Sequence, residues 1–430
     1  MNYQERLLKS IPGGAHTYSR GYDQYPANAP QILARGKGSF VFAPDGSKYL
    51  DYGMALRAVN IGYAEEQIDE AAINQIRNGN NLTRPSMIEL EAAELFINTI
   101  ESAEMVKFTK NGSTSVSAAV KLARAYTGRD IVARCADHPF FSYDDWFIGS
   151  TPITRGIPAD TIEMTKIFRY NDIASLEELI ARYPGRIACV VLEAATTEEP
   201  ENDFLGKLQS LCRKNGVLLI LDEMITGFRW HLKGAQQYYG LKPDLCTFGK
   251  AMANGYSVSC VAGHREIMEL GSIEFPGRER VFLLSTTHGA EMSGLGAFVA
   301  TVDFLQEKNV IDHLWEYGRK LIEMIKGQAQ SHGISESFKV GGPVCSPYYL
   351  TLDESGGNSL GLRTLFSQEM IKNGILMPWI ALSYRHGEEE LRLTEAAIDR
   401  SFAVYKKALK DGFEKHLVGP VIKPVFRKHN

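Results

Sequence analysis

Residues 216–223 read GVLLILDE, an uninterrupted apolar run that breaks on two acids. The run is far too short to cross a membrane, which takes about 20 apolar residues. It predicts a strand buried on both faces, and such strands belong to mostly parallel sheets covered by helices on either side. The surrounding sequence agrees. "IACVVLE", "DIVARC" and "MVKFT" read as further strands. Between them, "STSVSAAVKLARAYTG" is a helix opened by hydroxyl residues and closed near Gly128, and "LGKLQSLCRKNG" is a helix ending on Gly216. Upstream, "SMIELEAAELFINTI" carries apolar residues at helical spacing, and "SFVFA" and "KYLDY" flank a Pro-Asp-Gly turn, the pattern of a β-hairpin.

At 430 residues the chain is too long for one ordinary core. From about residue 300 its character changes to a smaller α+β pattern, with a helix over "NVIDHLWEYGRKLIEMIKGQAQSHG", then "YYLTLD", then a final helix through "AAIDRSFAVYKKALKDG". The expected division is 1–55 as the first segment of a small domain, 56–300 as the large domain, and 301–430 as the remainder of the small one. The formal net charge is −4 and no long basic run appears, so nucleic acid is not an expected partner. The terminal "KPVFRKHN" reads as a solvated end. Six cysteines without a C-x-x-C pair suit reduced thiols, and "MNYQERLLKS" lacks the apolar stretch of a signal peptide. The expected location is the cytoplasm, with no membrane association.

The chemistry concentrates in "GVLLILDEMITGFR" and "DLCTFGKAMANG". Asp222 stands where one buried strand ends, and Lys250 follows a second short apolar strand. Open α/β sheets place ligands at the carboxyl ends of their strands, so this acid and this amine can converge on one molecule. Pyridoxal 5′-phosphate (PLP) needs that pair: an amine to condense with its aldehyde, and a carboxylate to keep the pyridine nitrogen protonated. A third segment, "TKNGSTSVSAAVKLAR", opens a helix with Gly112, Ser113 and Thr114. Helix starts attract phosphate through free N–H groups and the dipole, although a hydroxyl-rich start serves equally as a plain N-cap.

The order of the "GST" helix start, "LDEMITGFR" and "TFGKAMANG" resembles class III aminotransferases of PLP fold type I. The opening "IPGGAHTYSRG", together with "ILARGKGSFVFAPDGSKYLDY" and "KLARAYTGR", is similar in particular to the glutamate-1-semialdehyde 2,1-aminomutase family. The resemblance implies an α/β fold: a large domain on a mostly parallel, seven-stranded-type sheet, and a smaller α+β domain from the N- and C-terminal segments. It also implies PLP as cofactor. Lys250 would be the Schiff-base lysine and proton carrier, and Asp222 the partner of the pyridine nitrogen. Met224 would press on one ring face and Phe140 on the other, with Phe141 as the alternative stacking ring. Gly112, Ser113 and Thr114 would hold the phosphate, and Thr287 would reach the phosphate bound by a neighbouring subunit of a homodimer with shared sites. Arg20, with Thr17 beside it, would bind a substrate carboxylate. Glu193, a kept position at a strand end, would be among the cofactor-binding residues. His138 and His386 read as hydrogen-bonded structural histidines.

Departures from the pattern concern the substrate. The expected Tyr-His-Gly stretch is replaced by "PFFSYDDW", the loop after Glu193 reads "EAATTEEP", and a tryptophan position after the hairpin holds Leu56 followed by Arg57. A buried arginine requires a partner, so Arg57 faces either an anionic or polar ligand or a structural carboxylate. These changes favour a transaminase for a different small amino or keto compound, sugar-like or carboxylated. The alternative is a true aminomutase of the tetrapyrrole pathway, moving the amino group within one molecule. A nicotinamide-dependent oxidoreductase is disfavoured because no G-x-G-x-x-G follows a first strand. A non-catalytic binding protein of the same fold is disfavoured because the lysine is present.

Overall fold

The computed structural model describes residues 1–429. They form two compact units, one made of Met1–Glu65 with Asp312–Arg427, the other built on Glu66–Ile311.

The second unit carries a seven-stranded sheet in the order Met105–Thr109, Ser259–Gly263, Leu245–Phe248, Leu218–Glu223, Ile187–Glu193, Ile131–Cys135, Thr165–Phe168. Ser259–Gly263 runs antiparallel to both of its neighbours, and every other pairing is parallel. This is the large, mostly parallel sheet expected from the sequence. The antiparallel strand and the edge strand Thr165–Phe168 are additions to that reading. Cys189, Val190, Val191, Leu192, Ile220 and Leu221 are completely buried. Each large aliphatic side chain so placed contributes about 1.5–3 kcal/mol, which is why the sequence spends its purest apolar runs here.

The covering helices begin and end on recognisable chemistry. Met87–Thr99 starts from a capping box between Ser86 and Glu89. Gly112–Thr127 is capped by Asn111 and stops at Gly128, whose φ of 65° suits glycine. No helix among the described residues is long and apolar enough to cross a membrane.

The first unit holds a four-stranded sheet in the order Arg35–Lys37, Phe40–Phe42, Lys48–Asp51, Ile375–Leu376. Phe40–Phe42 and Lys48–Asp51 pair antiparallel around the Pro-Asp-Gly turn, and Ile375–Leu376 adds in parallel. A second, two-stranded sheet joins Phe338–Gly341 to Tyr348–Thr351. The long helices Leu360–Lys372 and Glu388–Asp411 pack against each other. Just past strand Lys48–Asp51 the chain makes a turn that sequence patterns did not announce. Met54, Ala55, Leu56 and Arg57 have φ of 39°, 50°, 64° and 65°. A left-handed turn of L-residues is disfavoured by roughly 1–2 kcal/mol per residue and survives only where its surroundings enforce it.

Candidate active site

Parallel pairing sets three polar residues in one row at the carboxyl ends of neighbouring strands. Glu193 lies opposite Asp222, and Asp222 opposite Thr247. Residues in register share a face of the sheet. Asp222 is 2 % exposed. Its Oδ1 accepts from the Met224 N–H at 2.9 Å and from the Thr247 hydroxyl at 3.2 Å. No hydrogen bond to its Oδ2 forms among the described residues. Glu223, next along the strand, points to the opposite face. There it is consumed by the Thr226 hydroxyl and by the N–H groups of Ala235 and Gln236. Alternation thus separates a structural acid from one that retains an oxygen for a ligand.

Lys250 begins a 3₁₀ turn two residues beyond strand Leu245–Phe248 and is half-buried. Its φ is 47°, a conformation disfavoured for a side chain of this size and concentrated at functional sites. Burial pushes the Asp222 carboxyl up to about 6, against the pull of the Met224 N–H, the Lys250 charge and the Thr247 hydroxyl. The acid and the amine therefore feel each other electrostatically.

Met224 follows the Asp222 strand end. A Cβ on Gly112 would lie 2.7 Å from its sulfur, and one on Gly249 would lie 2.7 Å from the same sulfur and 2.5 Å from the Ser259 hydroxyl. Real side chains do not approach so closely, so both glycines are required for Met224 to sit where it does. The structure thus brings Gly112, Met224, Asp222 and Lys250 to one end of the sheet.

At the helix start, Asn111 Oδ1 accepts from the Thr114 N–H at 2.9 Å and from its hydroxyl at 3.0 Å. Thr114 is thereby occupied by the plain cap. The Ser113 hydroxyl accepts from the Tyr143 N–H at 3.1 Å. The amides of Gly112 and Ser113 are among the N–H groups that a helix start leaves without an intrahelical partner.

Of the two candidate rings, Phe141 is 2 % exposed and packs edge-on against His138 and Phe147, whereas Phe140 is 45 % exposed. Phe140 is the ring with an open face. His138 is 1 % exposed, and its Nδ1 accepts from the Glu193 N–H at 3.0 Å. The proton therefore resides on Nε2, which is buried and makes no hydrogen bond among the described residues. Burial, with the Arg134 charge, pushes this imidazole down to about 3, so it stays neutral. His386 is stacked on Tyr52, and its Nδ1 lies 2.8 Å from the Ser383 hydroxyl.

Thr287 is exposed in an irregular segment of the second unit, and its carbonyl accepts from Asn81 at 3.1 Å. Arg20, Thr17 and Arg57 belong to the first unit. Arg20 is exposed at the end of a 3₁₀ turn that follows Thr17, whose side chain makes no capping hydrogen bond and whose carbonyl accepts from the Arg20 N–H at 3.0 Å. Burial pushes the Tyr25 phenol up to about 12, with Asp51 adding to the rise and the Arg20 charge opposing it. Tyr63 is held well above the ordinary phenol range by burial and by Asp51, again with Arg20 opposing. Arg57 is half-buried, with its guanidinium carbon 5.9 Å from the Trp379 ring centroid. Thr247, Asn111 and the residues around Asp51 escaped the sequence reading. Only strand register and turn geometry, neither of them written in composition, bring them forward.

These residues fit PLP: a buried carboxylate with one oxygen to spare, a strained lysine beside it, open amides at a helix start, and two glycines making room around Met224. The fold and this constellation define a PLP-dependent enzyme of fold type I. The FumI protein of Sphingopyxis sp. MTA144, solved with PLP, superposes with a TM-score of 0.86 at 27 % identity, covering 95 % of this chain and 97 % of that one. Residues 21–346 match the family described as aminotransferase class-III, and the chain belongs to that family. Among its relatives, the 3-aminobutyryl-CoA aminotransferase of Cloacimonas acidaminovorans is 31 % identical over 95 % of this chain and 98 % of that protein. The glutamate-1-semialdehyde 2,1-aminomutase of Archaeoglobus fulgidus is also 31 % identical, over 92 % of this chain and 97 % of that protein.

Proposed function

We propose that the enzyme is a transaminase that moves an amino group from a small carboxylated donor to a keto or aldehyde acceptor through Lys250. The observation that carries this reading is the charge of Lys250 acting on the buried Asp222, each at the end of one of two adjacent strands. When bound, PLP supplies the electron sink for the negative charge left on the substrate carbon. The remaining work falls to the protein. The Lys250 amine would take the proton from that carbon and deliver it to the carbon that was the cofactor's aldehyde. Asp222 Oδ2 keeps a proton on the ring nitrogen, while the Thr247 hydroxyl and Met224 N–H fix the carboxylate through Oδ1. Gly112 and Ser113 amides take the phosphate, with Thr114 held in reserve by Asn111. Phe140 and Met224 would enclose the ring, and Glu193 would stand among the residues holding the cofactor. Arg57, Arg20 and Thr17 take the substrate carboxylate. Thr287 serves the partner subunit's phosphate in a homodimer. The large apolar residues Ile273 and Phe282, 82 % and 65 % exposed near Thr287 in the chain, support a covered surface there.

The two relatives at equal identity are named for a transfer and for a mutase, so similarity does not choose between them. Replacement of the family's tryptophan by Leu56 and Arg57 favours the transferase with a different donor. The test is a screen of amino donors and keto acceptors with PLP. Release of a keto product from a donor without acceptor, one equivalent per site, supports transfer. Turnover of glutamate-1-semialdehyde alone at a normal enzymatic rate would overturn it.

A further inference from the structure

We propose that Asp51 and Tyr63 are positioning residues for Arg57, locking the left-handed turn that presents its guanidinium to the substrate carboxylate; this rests on the reading of Arg57 as a carboxylate ligand. The Asp51 carboxylate, 6 % exposed, accepts from the Gly53 N–H at 2.7 Å, from the Met54 N–H at 3.1 Å and from the Tyr63 hydroxyl at 2.6 Å. The Tyr63 oxygen in turn accepts from the Ala55 N–H at 2.8 Å. Three successive backbone donors at the start of the turn thus end on one buried acid, two directly and one through a phenol. The Gly53 carbonyl accepts from the Arg57 N–H at 3.2 Å and from the Trp379 indole at 3.0 Å. The turn is therefore anchored to the same ring over which the guanidinium lies. Trp379, Tyr63 and Ala55 all pack on the buried cluster of Met54, Val59 and Ala381.

A turn that served only to connect two elements would be built from glycine or asparagine, which tolerate positive φ. The sequence here is Met-Ala-Leu-Arg. A right-handed turn of the same residues would be unstrained and would aim position 57 elsewhere. Strain is retained where a network enforces it, and the Asp51–Tyr63 network acts on the residues leading to Arg57. Arg20 acts on the same Tyr63 phenol, so a second positive group stands near the clamp.

The test compares kcat and KM for a carboxylated donor and for the amine lacking its carboxylate, using PLP-loaded enzyme. Arg57→Ala should raise KM for the carboxylated donor on the order of 10-fold or more, and several-fold more than it raises KM for the plain amine. Tyr63→Phe should raise the same KM by about 3- to 10-fold with kcat within about twofold, and add nothing in the Arg57→Ala background. Leu56→Gly guards against misfolding of the clamp variants. Glycine tolerates φ 64° without strain, so with the clamp intact the turn keeps its hand, the melting temperature should not fall and KM for the carboxylated donor should stay within about twofold. Tyr63→Phe added to Leu56→Gly should still raise that KM. A merely structural clamp would lower the melting temperature in Tyr63→Phe with KM unchanged, and that result overturns the proposal, as does full additivity of Tyr63→Phe with Arg57→Ala. No effect of Arg57→Ala on either substrate would defeat the carboxylate reading itself. An effect of Arg57→Ala without one of Tyr63→Phe would defeat only the clamp.

Discussion

Asp222 is held in two opposing ways. Burial raises its carboxyl to about 6, above the value of an unfolded chain. In the cofactor-free protein its stabilising share is thus present in full below about pH 4 and is lost as pH rises through about 6. At pH 8 the buried charge destabilises the apoprotein by about 1–3 kcal/mol. Asp222→Asn should therefore melt higher than the unsubstituted apoprotein at pH 8, by a few degrees, and show a flatter melting profile between pH 4 and 6. The same substitution should weaken PLP retention and lower turnover by about 10²-fold or more, because a neutral amide does not hold the ring nitrogen protonated. Calorimetry of apoprotein and cofactor titration read these opposite signs, and equal signs would contradict the role. Lys250→Ala should remove turnover and the visible absorbance of bound cofactor together. Asp222 and Lys250 were legible in the sequence because each follows an apolar run that must end at a strand terminus. Thr247 was not, since its bond to Asp222 depends on register between strands whose sequences say nothing of how far each slides past the other.

Among the elements, helix Gly112–Thr127 shows how one residue type serves several needs. A Cβ on its first residue, Gly112, would lie 2.7 Å from the Met224 sulfur, so any larger residue there displaces that side chain. Gly112→Ala should cut PLP affinity by about tenfold or more, and Met224→Ala in the same chain should recover part of that loss, as a shared steric cause requires. Cofactor titration by absorbance checks both; failure of the second change to help would place the cause elsewhere. Asn111→Ala removes the cap and should destabilise the protein by about 1 kcal/mol. The helix was readable from its hydroxyl-rich start and Gly128 stop. Strand Ser259–Gly263 was not, because direction leaves no trace in a short apolar run. The left-handed turn at Met54–Arg57 was invisible for the opposite reason: its residues prefer another conformation, and only Asp51 and Tyr63 reveal why they do not adopt it.

For the whole molecule, the proposed homodimer makes a prediction about mixing. If Thr287 serves a partner's site, Lys250→Ala and Thr287→Asp proteins, each inactive alone, should regain activity when co-refolded, up to roughly a quarter of normal from the intact sites of hybrid dimers. No recovery from folded hybrids would count against shared sites. Met1–Glu65 and Asp312–Arg427 make up one unit and Glu66–Ile311 the body of the other, whereas the change of pattern near residue 300 led to an expected division at 1–55, 56–300 and 301–430. What the pattern did not show is how distant partners are in time. Strand Met105–Thr109 finds its sheet neighbour only in Ser259–Gly263, and Lys48–Asp51 is completed by Ile375–Leu376. A chain emerging from the ribosome can finish the seven-stranded sheet while its first hairpin still waits, edge uncovered, for nearly the last of the protein to be made. Such long-delayed pairings slow folding and leave strand edges open to other chains. The opening segment is thus where a nascent copy most needs a chaperone's shelter.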